Sequence, residues 1–128
     1  MLRARGPCWL SIRAGSAAGP VLYETTLDAL VLVSDPTFPG CRIRVRTIGV
    51  FHMEDEKGPD EKLLCVPLGA SEFERVADIH DVQNELRDEI EHFFQRYKDL
   101  EPSKRTETRG WGNRDEAETI LAAARERA

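Results

Sequence analysis

The alternating run "CRIRVRTIGVFHM", residues 41–53, constrains the fold of this chain more than any other segment. Its apolar residues occupy odd positions up to Val45, a period of two that predicts a strand with one apolar face. From Ile48 they occupy even positions, so we expect a bulge or bend near Thr47 and Gly49, as in curved sheets and small barrels. The opposite face of the strand carries Arg42, Arg44 and Arg46. We expect this face to be solvated, with an oligomer interface as the alternative.

Two short apolar runs, residues 27–33 and 62–69, predict further buried strands. Residues 81–100 then predict a long helix, with Asp81 as its cap and apolar residues spaced three and four apart. Its apolar stripe consists of Val82, Leu86, Ile90, Phe93, Phe94 and Tyr97. Residues 113–128 predict a second helix with Asn113 as N-cap. Strands followed by helices indicate the α+β class.

Size and composition exclude several functions. A chain of 128 residues suits one domain with a modest core. The net charge of −5 argues against nucleic-acid binding, and no apolar run approaches the roughly 20 residues that span a membrane. Three cysteines without a CxxC pair suit a reducing compartment, and Cys65 lies in an apolar run that predicts a buried, unreactive thiol.

Residues 1–22 differ from the remainder, since they hold three arginines and no acidic residue. Such a composition resembles an organellar transit peptide, but the segment lacks an amphipathic period and contains glycine and proline. We therefore predict a divergent, poorly ordered leader at 1–22 and one folded domain at 23–128.

The acidic segment "EDEKGPDEK", residues 54–62, holds five acids and two lysines. It lies between two predicted strands, so we expect a hairpin-like connection with a turn centred on Gly58 and Pro59. Spacing alone leaves two interpretations open, a solvated loop and a Mg²⁺–phosphate site built from carboxylates and a basic side chain. The candidate residues are Asp55, Glu56, Asp60 and Lys62. An EF-hand does not fit, because its first ligand position would fall on Met53.

Three segments together resemble the soluble family I inorganic pyrophosphatases, particularly those of actinobacteria: residues 34–67, "DIHDV" at 78–82, and "HFFQRYKDLEPSK" at 92–104. The resemblance extends from Leu27 to about Glu118. It implies a small five-stranded β-barrel of the oligonucleotide-binding type with two C-terminal helices packed outside, here incomplete at the N-terminus. It also implies Mg²⁺-dependent hydrolysis of pyrophosphate to two phosphates by cytoplasmic oligomers, often hexamers.

The resemblance assigns roles to individual residues of this chain. Asp55 and Asp60 resemble catalytic metal-binding aspartates, Glu56 an acid that supports the site, and Lys62 the lysine beside the phosphate. Tyr97 and Lys98 resemble a pair that binds phosphate oxygens. Asp28 resembles the last, metal-binding aspartate of the family motif Asp-Gly-Asp-Pro-x-Asp.

This chain departs from that motif immediately before Asp28. Tyr23 and Thr25 stand where two aspartates are expected, and Glu24 stands at the glycine. Because Thr25 cannot act as a carboxylate base, we expect impaired hydrolysis. The alternative is a non-catalytic pyrophosphatase-like remnant that binds metal or phosphate weakly or joins oligomers of an intact relative. A truncated or frame-disrupted gene product would account for the leader.

Overall fold

The structure is a computed structural model and describes residues 9–14, 20–22, 27–33, 42–56, 58–100 and 106–127. These residues form seven strands and two α-helices. The strands are β1 (Trp9–Ala14), β2 (Pro20–Leu22), β3 (Asp28–Val31), β4 (Arg42–Asp55), β5 (Gly58–Pro59), β6 (Lys62–Pro67) and β7 (Thr106–Gly112). The helices are α1 (Asn84–Leu100) and α2 (Arg114–Arg127). The predicted α+β class is confirmed.

Strand β4 is the centre of the sheet, because β1, β5, β6 and β7 all pair with it. Its register against β6 shifts between Thr47 and Gly49, where the sequence predicts a bulge. The shift explains the change in parity: Val45 and Val50 contribute to one core cluster although one is odd and the other even. Ile48 packs into a second cluster on the other side of the sheet.

The main path of the sheet runs β2-β1-β4-β6-β3, and β3 lies parallel to β6. Its two end strands, β2 and β3, lie within contact distance of each other. No hydrogen-bonded ladder joins them among the described residues, so the sheet curls toward a barrel that hydrogen bonds do not close. β1 and β2 fall within residues 1–22, and the predicted division of the chain at residue 22 stays a prediction.

Helix α2 covers one core cluster through Ala117 and Leu121, which are at most 2% exposed, and Ala124 on the same helix is also buried. The predicted N-cap is confirmed, because Asn113 Oδ1 accepts from the Glu116 amide at 2.9 Å. The Glu116 side chain accepts in return from the Asn113 amide at 2.9 Å. This reciprocal pair is a capping box, and it fixes where α2 begins.

The start of α1 differs from the prediction. The helix begins at Asn84, while Asp81 belongs to a preceding 3₁₀ turn, Ile79–Asp81, where Asp78 and Asp81 form a capping box of their own. The predicted apolar stripe of α1 is also not fully buried, since Phe93 is 58% exposed. Helix α1 therefore packs its apolar side only in part.

One of the three arginines expected on the solvated face of β4 is instead partly buried. Arg46 is partly buried and donates from Nη2 to the Phe73 carbonyl at 2.6 Å, and from Nη1 to the Val76 carbonyl. It therefore anchors the segment before α1. Arg44 is exposed, as predicted.

Strand β7 was not predicted, and it places a strand between the two helices. Trp111 on β7 packs against Phe51 at a ring-centroid distance of 4.8 Å. Cys65 is fully buried, which confirms the prediction for this thiol, whereas Cys8 and Cys41 lie outside the described residues. Neither helix in the described part of the chain is long and apolar enough to cross a membrane.

Candidate active site

The acidic segment forms a tight hairpin at the end of β4. Asp55, the last residue of β4, lies opposite Gly58 in β5, so the chain reverses before Gly58. The expected turn centre at Gly58–Pro59 is therefore wrong, because both residues belong to strand β5. Gly58 has a φ of 114°, a conformation that glycine adopts without strain and that brings the chain back along β4. The Asp60 amide then donates to the Met53 carbonyl at 2.8 Å.

This return places Lys62 at the start of β6, opposite Asp28 in the parallel β3–β6 pair. The Lys62 ammonium donates to Oδ2 of Asp28 at 2.8 Å and to both carboxylate oxygens of Asp60 at 3.2 Å. The lysine side chain is 10% exposed, and the side chains of Asp28 and Asp60 are 43% and 40% exposed. Three residues predicted from the sequence thus form one cluster, open to solvent on its acidic side.

The two carboxylates decide the charge of Lys62. Burial alone would lower the pKa of its ammonium, because desolvation disfavours the charged form. The hydrogen bonds and negative charges of Asp28 and Asp60 outweigh that effect, so the pKa lies above its ordinary value of 10.5. Lys62 is therefore a cation at neutral pH, held at a fixed position.

The other predicted site residues lie on the same hairpin or on α1. Asp55 is half-buried at the end of β4, and Glu56 is exposed on the turn. Positions 97 and 98 lie in the C-terminal half of α1, but the side chains of Tyr97 and Lys98 are outside the described part of the structure. The structure thus brings together Asp28, Asp60 and Lys62, with Asp55 and Glu56 on the adjoining turn.

The donor chemistry of this cluster fits a hard divalent cation. Carboxylate oxygens suit Mg²⁺, which keeps several waters and usually binds one or two protein carboxylates together with substrate phosphates. Asp28 and Asp60 both reach solvent and both lie at the same lysine. The described residues contain no group of three or more His, Cys, Asp or Glu side chains that would enclose an ion. Two solvent-facing carboxylates would therefore leave most coordination positions of such an ion to other ligands.

Two neighbours of the cluster were missed by sequence analysis. His52 Nδ1 lies 2.8 Å from Oε2 of Glu61, the residue between the two site residues Asp60 and Lys62, and its Nε2 lies 3.8 Å from Oε1 of Glu116. The ring of Phe94 lies under the Lys62 ammonium, 5.7 Å from nitrogen to ring centroid. Sequence spacing gives no signal for the Lys62–Phe94 contact, which joins segments that are distant in the chain. His52 and Glu61 are close in sequence and meet across the hairpin.

Comparison with known proteins identifies one family. The family model described as "Inorganic pyrophosphatase" matches residues 24–128. The inorganic pyrophosphatase of Streptomyces coelicolor is 55% identical over 95 residues, which are 74% of this chain and 58% of that protein. That of Corynebacterium efficiens is 50% identical over 101 residues, 79% of this chain and 63% of that protein. The chain thus spans about 60% of the length of the curated relatives it matches.

Solved structures agree with the sequence comparison. The inorganic pyrophosphatase from Thermus thermophilus superposes with a TM-score of 0.88 at 26% identity, covering 98% of this chain and 94% of that one. The inorganic pyrophosphatase from Coxiella burnetii superposes with a TM-score of 0.85 at 28% identity, covering 99% of both chains. The fold predicted from the sequence is therefore that of solved pyrophosphatases.

Proposed function

Given that this chain belongs to the inorganic pyrophosphatase family, we propose that it hydrolyses pyrophosphate to two phosphates with Mg²⁺, at a reduced rate. The observation that carries the proposal is the Lys62 ammonium held between the carboxylates of Asp28 and Asp60. A fixed cation beside solvent-facing carboxylates is what a substrate carrying both phosphate and metal requires.

Each residue of the cluster has a separate task. Lys62 donates to a phosphate oxygen and stabilises the charge that develops as the phosphate leaves. Asp28 and Asp60 orient Lys62. Asp28, Asp55 and Asp60 would hold Mg²⁺ through one or two carboxylates per ion, because no three acids of the described residues lie close enough to enclose one ion. When bound, Mg²⁺ offsets the charge of pyrophosphate and lowers the pKa of the attacking water. Tyr97 and Lys98 bind phosphate oxygens from α1, and Glu56 supports the site.

The reduced rate follows from the segment before Asp28. Thr25 stands at the position of an aspartate that the resemblance associates with activating the attacking water, and Tyr23 stands at a second aspartate position. A general base contributes roughly 10²–10⁴-fold to a rate. The remaining carboxylates and Lys62 would still stabilise the transition state, so hydrolysis persists at a fraction of the family rate.

Phosphate release from pyrophosphate by the purified chain, titrated with Mg²⁺, tests the proposal. We expect release that depends on Mg²⁺ and that falls by about 100-fold in Asp55→Asn. Asp88→Asn is the matched control, because Asp88 is an exposed acid on α1 to which no role in the site is assigned. An unchanged rate in folded Asp55→Asn would remove Asp55 from the mechanism.

A second candidate function is a non-catalytic remnant that binds metal or phosphate weakly, or joins oligomers of an intact relative. Tyr23 and Thr25 favour it, because both replace a carboxylate by a group that carries no charge. A folded chain without turnover would support the remnant. Turnover of about 1–10³ per second, the ordinary range of enzymes, would exclude it.

Self-association and a cytoplasmic location belong to the same proposal. The family resemblance supports a homo-oligomer, with a hexamer as the expected form. Light scattering coupled to size-exclusion chromatography measures the mass in solution directly. A mass of one chain, 14.5 kDa, across the working concentration range would contradict the oligomer.

A further inference from the structure

The Lys62 ammonium, which contacts the carboxylates of Asp28 and Asp60, also lies over the ring of Phe94. The nitrogen lies 5.7 Å from the ring centroid, within the roughly 6 Å over which a cation is attracted to an aromatic face. The lysine side chain is only 10% exposed, so water competes little with the ring. This attraction grows as the cation is withdrawn from water.

Phe94 is itself fixed by the sheet. Its ring stacks on Phe51 at a centroid distance of 5.6 Å and an interplanar angle of 26°. Phe51 is fully buried and lies opposite Lys62 in the β4–β6 ladder. It also packs on Trp111 of β7. The Phe94 ring is therefore fixed in position beside Lys62 by its stacking on the buried ring of Phe51.

The position of Phe94 along α1 gives this contact a functional consequence. In a helix, residues three and four apart share a face. Positions 97 and 98, which the proposed function assigns to phosphate binding, lie three and four residues after Phe94 within α1. The contact between Phe94 and Lys62 therefore fixes the position of this part of α1 relative to the acidic hairpin.

We propose that Phe94 is a positioning residue of the site: its ring holds the Lys62 ammonium and docks the phosphate-binding end of α1 beside it. The inference rests on the proposed function. An ammonium has three N–H groups, and among the described residues Asp28 and Asp60 accept from it.

Substitutions at Phe94 test the role, with the neighbouring Phe93 as the matched control. Phe94→Leu removes the ring and Phe94→Tyr keeps it. Phe93→Leu makes the same change at a residue that is 58% exposed and meets the Phe94 ring edge-on at 5.1 Å, so it removes a neighbour of Phe94 but leaves the ring beside Lys62. We expect kcat for pyrophosphate to fall about tenfold in Phe94→Leu, since small displacements of a reacting group are costly. Phe94→Tyr and Phe93→Leu should stay within about twofold of the parent chain, by the same argument. A wild-type kcat in folded Phe94→Leu would overturn the proposal.

A double-mutant cycle in urea unfolding gives a second readout that needs no activity. It compares the parent chain, Phe94→Leu, Lys62→Met and the double variant, all without Mg²⁺. A cation–ring attraction predicts that the two changes are coupled, by about 2- to 30-fold in the unfolding equilibrium constant. Losses that simply add in the double variant, with no coupling between the two positions, would overturn the proposal.

The two readouts separate this inference from the proposed function. A parent chain that releases no phosphate contradicts the proposed function, while the unfolding cycle still decides whether Phe94 holds Lys62. Phe94→Met, which is closer in volume to phenylalanine, replaces Phe94→Leu in both experiments if the leucine variant does not fold.

Discussion

The Lys62 ammonium lies 2.8 Å from Oδ2 of Asp28, a residue 34 positions earlier in the chain. The two residues meet because β3 and β6 run parallel with Asp28 directly opposite Lys62. A parallel pair needs a long connection between its strands, and here β4 and the acidic hairpin provide it. The fold therefore supplies one carboxylate of the cluster from the start of β3 and the other from the hairpin.

The ion pairs of Lys62 predict a pH-dependent stability. The folded-state pKa of the ammonium lies above 10.5, so its interactions stabilise the fold fully below pH 10.5 and are lost as pH rises through that higher value. We expect Lys62→Met to lower the free energy of unfolding by about 1–3 kcal/mol at pH 8, since it leaves two partly exposed carboxylates without their cation. Urea unfolding without Mg²⁺ at pH 8, 10, 11 and 12 measures this difference.

The difference between the parent chain and Lys62→Met should shrink above pH 10.5, because only the parent chain has this proton to lose. Other lysines and tyrosines titrate in both proteins and cancel in the comparison. A difference that grows with pH would contradict the assignment.

Restoring a carboxylate before Asp28 should raise activity. We predict that Thr25→Asp increases phosphate release by about 10²–10⁴-fold, the range that a general base contributes. Thr25→Asn has nearly the same shape without the charge and serves as the control. Equal rates in the two variants would show that a carboxylate at this position does not limit the reaction.

Strands β3, β4 and β6 and the cap of α2 could be predicted because their signals are local. The parity change at Thr47 and the Asn113 cap both depend on residues close in sequence, and both are confirmed. The start of α1 was placed too early, because Asp81 has the same capping chemistry at a 3₁₀ turn. Local chemistry identified the motif here but not the element it caps.

The contacts that assemble the site could not be predicted from spacing. The Lys62–Asp28 pair depends on the parallel register of two distant strands, and the Lys62–Phe94 contact depends on how α1 packs on the sheet. Strand β7 could not be predicted, because "TETRGWG" shows only a short alternation of side-chain types and contains two glycines, which are rare in strands. Family resemblance pointed to Asp28 and Lys62, but only the fold places them in contact.

The capping box of α2 predicts a measurable loss of stability. Asn113→Ala removes the side-chain acceptor for the Glu116 amide and should cost about 1 kcal/mol. Glu118→Ala on the same helix is the control, since its exposed pair with Arg114 at 3.9 Å is worth about 0.5 kcal/mol or less. Equal losses in urea unfolding would mean that the cap does not limit the stability of α2.

The Cys65 thiol should be inert in the native protein. It is fully buried, and burial raises its pKa well above the ordinary range, so almost no reactive thiolate forms. In a Cys8→Ser, Cys41→Ser background, we expect a disulfide reagent to label Cys65 only as fast as the chain unfolds. Rapid labelling without denaturant would contradict the buried position.

The most direct test of the account is Mg²⁺-dependent phosphate release from pyrophosphate by the parent chain and by Lys62→Met, measured on folded protein. If the cluster of Asp28, Lys62 and Asp60 is the site of hydrolysis, the parent chain turns over, and Lys62→Met loses about 100-fold or more of that rate. The Asp88→Asn control should retain the parent rate. Turnover that is unchanged in folded Lys62→Met, or no turnover in the parent chain, would contradict the account.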